Sequence, residues 1–385
     1  MAFQMQAVAV GWQIYALTHS TFELGLVGLA QFLPMVALTL PAGHVADRFD
    51  RRTVSAAALG LQAVAIALLA VGSAGNWIRP TGIFILVACV GAARAFERPA
   101  TQALLPSLVP ESKVPRAIAW SSAGFQAASI VGPAAGGLLY ALSAPCPYAL
   151  AATLALTSAV LMGSIRQERT ARPPQPATLA SLFAGIHYIR AHSIILGSIS
   201  LDLFAVLLGG ATALLPAFAH DILGVGSWGL GALRSAPALG ALSMSALLAK
   251  YPLNRRVGRR MFAAVAAFGA ATVVFGLSRS FAISFAALLV LGAADIVSVV
   301  VRSSLVQLET PDEMRGRVGA VNALFIGTSN QLGEFESGIT ASLMGTVPAT
   351  VLGGVGTLLV AVLWMRFFPQ LLAFDRFDGH KDPHA

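Results

Sequence analysis

Apolar runs of about 20 residues, separated by short polar turns, recur from one end of the chain to the other. Each is long enough to cross the ~30 Å hydrocarbon core of a bilayer as a helix. Twelve segments are read this way: 2–17, 22–42, 53–72, 81–96, 118–142, 145–165, 194–218, 226–249, 261–277, 281–301, 318–344 and 349–368. The alternating segments of about ten residues that build a membrane barrel are absent. The pattern therefore predicts an all-α, polytopic membrane protein. It divides into an N-terminal six-helix bundle (1–165), a Pro-rich linker (166–193), a C-terminal six-helix bundle (194–368) and a tail (369–385). The first segment is short, carries Gln4, Gln6 and Gln13, and has no basic residue before it. It is expected to be the second half of a helix whose beginning lies upstream, and it lacks the positive start of a signal peptide.

Composition agrees with this reading. Of 385 residues, 56% are hydrophobic and 11% charged, with a mean hydropathy of +0.75. A water-facing domain carries roughly 25% charged residues. The sequence pI of about 10.2 would admit a nucleic-acid partner, but the placement of the charges assigns it another cause. Of the 25 Lys and Arg residues, only Arg79 and Arg279 fall on one set of loops, and Arg94 and Arg234 fall within segments. The others lie on the opposite set of loops or, for Arg366, at the end of the last segment on that same side, which the retention of basic residues makes cytoplasmic. Both termini are then cytoplasmic, and the expected location is the inner membrane of a bacterium. The two cysteines, Cys89 and Cys146, suggest neither a disulfide framework nor a zinc site.

The halves repeat with an offset of about 200 residues, the signature of transporters whose bundles rock about a midplane site. Leu108-Val109-Pro110-Glu111-Ser112-Lys113 follows segment four, with Arg116 beyond; Thr310-Pro311-Asp312-Glu313-Met314-Arg315 follows segment ten, with Arg317 beyond. The basic turn 47–52 has a counterpart in 254–260.

Gly43-His44-Val45-Ala46-Asp47-Arg48-Phe49-Asp50-Arg51-Arg52 resembles motif A of the major facilitator superfamily, with Asp50 where the motif has Gly. Asp tolerates a left-handed turn better than most residues, so that turn is expected to survive. The resemblance implies a cytoplasmic latch in which Asp47 contacts segment eleven, supported by Gly43, Arg48, Arg51 and Arg52. Gly132-Pro133-Ala134-Ala135-Gly136-Gly137 is similar to motif C, which marks proton-coupled exporters of this superfamily; physically, these residues allow bending and close helix approach. Motif B is unmatched, with Arg94-Ala95-Phe96-Glu97-Arg98 in its place. Further stretches (5–13, 98–106, 310–318 and 333–338) resemble the transmembrane secretion effector branch, which includes enterobactin exporters and some macrolide efflux pumps. That resemblance covers essentially the whole chain and implies the major facilitator fold.

Ionisable residues within spans are functional candidates by default. At about 1.5 Å per residue, Asp202 in segment seven and Arg234 in segment eight each lie about 12 Å from a segment end. Both are expected near the midplane, where they can pair. Glu334, with Glu336 nearby, lies about 24 Å along segment eleven and is the competing proton carrier. Asp295 and Arg302 are expected nearer the cytoplasmic surface, in gating or anchoring. Arg94, Glu97 and Arg98 are expected to brace the Asp47 gate together with Asp295, and His187 and His192 to be solvated in the linker. No phosphate-binding loop for an ATP-driven pump is present. No catalytic, metal or cofactor set is read. The expected function is secondary active export of a drug-like or siderophore-like molecule by a monomer, coupled to protons. An importing facilitator is the first alternative and a membrane-embedded receptor or enzyme the second.

Overall fold

The computed structural model describes residues 1–165, 179–253 and 255–377, and within these it leaves the side chains of a few helical residues undescribed, Asp47 among them. Every element among the described residues is helical: α1 (Ala2–Thr18), α2 (Thr21–Arg48), α3 (Arg51–Ala74), α4 (Pro80–Leu104), α5 (Val114–Leu142), α6 (Pro145–Ser164), α7 (Leu179–Ala191), α8 (Ser193–Leu208), α9 (Leu215–Ala217), α10 (Gly226–Lys250), α11 (Val257–Leu277), α12 (Phe281–Leu308), α13 (Asp312–Met344), α14 (Thr346–Phe367) and α15 (Pro369–Ala373), with short 3-10 and π turns between some of them. Ten of these segments are long and apolar enough to cross a membrane. The 17-residue α1 and the more polar α13 are not among the ten, but both pack into the helical array. Large apolar side chains face outward, with Leu142 75% and Leu343 80% exposed. Such surfaces are stable against lipid and costly against water.

Local chemistry explains the helix starts. Ser20 caps α2 by accepting from the Glu23 N–H (3.3 Å), with Glu23 in the first turn, a pairing that satisfies orphan donors. Pro80 and Pro145 open α4 and α6, and Pro115 lies in the first turn of α5, where a missing N–H costs nothing. Asp312 and Glu313 sit in the first turn of α13, where carboxylates oppose the positive helix end. The departure from motif A resolves differently from expectation. Asp50 is not left-handed: at φ −63° and ψ 117° it is the N-cap of α3 and accepts from the Arg52 N–H (2.9 Å). The Arg52 side chain folds back onto the same carboxylate, with Nε 3.1 Å away, and its Nη1 donates to the Ile165 carbonyl (2.6 Å).

The chain forms two compact units, Met1–Pro176 with Pro216–Ser235, and Ala177–Leu215 with Ala236–Ala385. In the first, α3 packs on α4 and α6, and α1 packs on α5. Its core gathers Met5, Ile14, Ile66, Leu69, Ile83 and Tyr148, each 1% exposed or less. In the second, Leu201, Met261, Phe262, Val301 and Leu305 form the core between α8, α11, α12 and α14.

Two expected boundaries move. The stretch 166–193 is not linker throughout, because α7 occupies Leu179–Ala191 and packs on α13. Gly185 meets the Arg317 backbone, Ile189 joins the core with Ile195, Val306 and Val318, and Tyr188 donates to the Glu309 carbonyl (3.0 Å). His192 lies in this region, its ring stacked on Tyr188 and its Nδ1 2.8 Å from the Tyr188 carbonyl. The Pro-rich part of the expected linker lies outside the described residues. The expected tail begins as structure: Phe374 and Asp375 accept from the N–H groups of Gly258 (2.9 Å) and Val257 (3.2 Å), satisfying the start of α11.

Candidate functional site

The polar residues of α1 serve its packing. Gln13 donates to Ser73 on α3 (2.9 Å) and accepts from the Tyr148 hydroxyl on α6 (2.7 Å), all three buried. Gln4 donates to Ser129 on α5 (3.3 Å). In a dry interior such bonds align helices, because an unsatisfied amide would be costly. Gln6 Oε1 has no hydrogen-bond partner among the described residues.

The motif C glycines lie where backbones cross. A Cβ on Gly132 would stand 2.6 Å from Gln4 Cβ, one on Gly136 2.8 Å from the Met5 carbonyl, and one on Gly137 2.8 Å from Gly231 Cα. Pro133 is buried with them, and its carbonyl would stand 2.6 Å from a Cβ on Gly231. The motif is thus the surface on which α5 receives α1 and the start of α10. On α4, Arg94 is 9% exposed and its Cζ lies 3.3 Å from the Phe3 ring centroid, a cation–π contact worth more when desolvated. Glu97 accepts from Thr101 at 3.5 Å, and Arg98 is exposed. The Asp47 side chain that these residues are expected to brace lies outside the described set. Gly43 and Arg48 fall in the last turns of α2 and Arg51 opens α3.

In the second unit, Asp202 on α8 is 5% exposed, and its ion-pair partner is Arg302 on α12, 2% exposed. The partner expected from the sequence is Arg234, which is half-buried on α10; Arg302 was not weighed for that place. The reason is a helix end. The apolar pattern stops at Val301, so Arg302 reads as a loop residue, but α12 runs on to Leu308 and carries the guanidinium inside. Arg302 Nε has no hydrogen-bond partner among the described residues, so the pair is not fully satisfied. A small recess adjoins it, lined by Asp202, Phe268, Asp295 and Ser298 among others. Asp295, expected in the cytoplasmic gate, shares a wall with Asp202.

The helix carrying Asp202 breaks just beyond it. After Leu208 the chain passes through Gly209–Gly210, a 3-10 turn (Ala211–Leu214), α9 and a π turn (Phe218–Ile222). The break lies against α13: a Cβ on Gly210 would stand 2.6 Å from the Gly333 carbonyl carbon. Broken helices at midplane depth are the usual ground for transporter sites. Glu334 follows Gly333 at this crossing, and Glu336, one turn before Thr340, accepts from its hydroxyl (2.8 Å). The consecutive glycines were the available signal for the break.

Membrane-spanning helices in two units, buried charges within spans and an interrupted helix define a secondary transporter of the major facilitator type. Solved structures carry the same fold. The chain is similar to a bacterial homolog of the human lysosomal transporter Spinster (TM-score 0.70, 13% identity, 96% of this chain and 95% of that one). It is also similar to a bacterial homologue of the iron transporter ferroportin (TM-score 0.68, 19% identity, 97% of each). The chain belongs to the transmembrane secretion effector family, matched over residues 1–381. Among curated relatives, the enterobactin exporters EntS of Shigella boydii serotype 18 and of Escherichia coli O139:H28 are each 27% identical over 378 residues, covering 95% of this chain and 88% of theirs. These are transporters, not enzymes.

Proposed function

We propose that this chain exports a small amphipathic or siderophore-like molecule across a bacterial inner membrane by alternating access, driven by proton entry, as a monomer with both termini in the cytoplasm. The direction and substrate class follow the names of its relatives and the motif C resemblance. The observation that carries the coupling is the buried Asp202–Arg302 pair beside the recess that Asp295 also lines. A proton arriving on Asp202 cancels the attraction that ties α8 to α12, and its departure restores it. Because a charge left alone in a span costs at least about 2.5–3.5 kcal/mol, protonation and substrate occupancy compete for one arrangement of these helices. Asp47 and the basic residues around it gate the cytoplasmic end, and Glu334 is the second carboxylate able to carry the proton.

The test uses inside-out vesicles containing the full chain, energised to acidify their lumen and offered enterobactin or a fluorescent amphipathic cation. Accumulation that collapses with a protonophore, and is lost in Asp202→Asn with substrate binding retained, is expected. Equilibration without proton movement would instead establish a facilitator and overturn the antiport reading.

A further inference from the structure

The outer end of α1 and the π turn after α9 bring together three side chains of metal-ligating type, outside the carboxylates and arginines discussed above. His19 ends α1 in the left-handed conformation (φ 48°, ψ 28°), uncommon for a residue with a side chain but readier for His than for most. That turn carries its ring to 5.4 Å from the His220 ring, centroid to centroid. His220 and Asp221 lie within the π turn Phe218–Ile222, a widened geometry that recurs at functional sites. His220 Nδ1 is 2.6 Å from Asp221 Oδ1, and Tyr15 donates to Oδ2 of the same carboxylate. One ligand atom from each of His19, His220 and Asp221 lies within 4.8 Å of the other two. Trp12 and Tyr15 stand against His220, with ring centroids 5.4 and 5.8 Å away. All of these residues belong to the first compact unit.

We propose that His19, His220 and Asp221 form a zinc site that clasps α1 to the 216–235 segment. Two imidazoles and one carboxylate match the borderline donor set of Zn²⁺, and a fourth position is left for water. Ca²⁺ and Mg²⁺ require six or more oxygens, which the cluster does not supply. Zinc bonds of about 2.0–2.2 Å place tetrahedral ligand atoms about 3.4 Å apart. From separations within 4.8 Å, side-chain rotation of about 1 Å therefore closes the site. His220 and Asp221 side chains are 36% and 48% exposed, so an aqueous ion reaches them directly. The Tyr15 hydroxyl and the two indole and phenol rings hold the far side, the kind of outer support that orients metal ligands. By the charge asymmetry of the loops, this end faces away from the cytoplasm.

Binding of ZnCl2 to the purified full chain, in detergent and without an oligohistidine tag, tests the site by equilibrium dialysis with metal analysis. One equivalent is expected to bind, and His19→Gln or His220→Gln should weaken it by at least about 10- to 100-fold, while a double His380→Gln/His384→Gln change leaves it intact. MgCl2 should not compete. Because metal binding displaces protons from its ligands, affinity should fall on acidification. Metal-free melting temperatures equal to the parent's establish that the variants fold. Should either variant fail to fold, the visible spectrum of Co²⁺ bound to the His380→Gln/His384→Gln protein decides: intense tetrahedral bands support the site. Weak octahedral bands, no stoichiometric zinc, or binding that follows His380 and His384 would overturn it and leave the cluster as aromatic and hydrogen-bonded packing.

Discussion

Neutralising one member of the Asp202–Arg302 pair should harm the protein more than neutralising both. With side chains 7% and 2% exposed, each charge depends on the other rather than on water. Arg302→Gln leaves the Asp202 carboxylate buried beside a neutral amide, and breaking a buried pair in this way costs about 3–5 kcal/mol. Membrane insertion scales set the penalty of a lone charge at about 2.5–3.5 kcal/mol, so about 3 kcal/mol is the common expectation, roughly a hundredfold in the folded-to-unfolded ratio. Removing both charges discards the attraction and the desolvation cost together, and such replacements are often neutral or stabilising. The Nε of Arg302, which has no hydrogen-bond partner among the described residues, tilts the comparison further toward the double variant. Thermal unfolding in detergent and abundance in membranes provide the readouts. Arg302→Gln should fall in both, and Asp202→Asn/Arg302→Gln should recover both without recovering proton-driven transport. The reasoning is refuted if Arg302→Gln matches the parent, or if the double variant is no more stable than the worse single one.

Other outcomes follow from separate parts of the molecule. Gly137→Val should destabilise by about 1–3 kcal/mol, the usual cost of overpacking, because its Cβ meets Gly231 Cα at 2.8 Å; a melting temperature equal to the parent's would show that α5 and α10 can separate there freely. Asp47→Asn should lose transport at unchanged abundance, shifting the conformational balance by about 1–3 kcal/mol, a typical coupling energy; normal efflux at equal expression removes the latch. Single cysteines replacing Arg169 and Lys381, in a chain lacking Cys89 and Cys146, should resist an impermeant thiol reagent in intact cells and react after permeabilisation. Labelling of either site without permeabilisation reverses the orientation.

The properties legible in the sequence were those that depend on neighbours along the chain. Span length, the polarity of each loop and the motif spacings are local, and together they determined an all-helical membrane transporter and its family. Helix boundaries were less legible, because a helix can outlast its apolar stretch. Arg302 was placed in a loop for that reason, although α12 continues past it and buries it against Asp202. The polar 166–193 stretch likewise hid α7, whose apolar face is covered only by α13 and its neighbours. Pairings between helices were not legible at all. Each residue turns a helix by about 100°, so an uncertainty of one or two positions in register changes which face a side chain occupies. The roles of Gln13 between Ser73 and Tyr148, of Gly132 and Gly136 against α1, and of His19 beside His220 are set by crossings between segments far apart in sequence. Even the departure from motif A was misjudged for this kind of reason. Asp50 was read as a turn residue on intrinsic tolerance, whereas the free N–H groups of α3 and the Arg52 guanidinium drew it into the extended conformation of a cap.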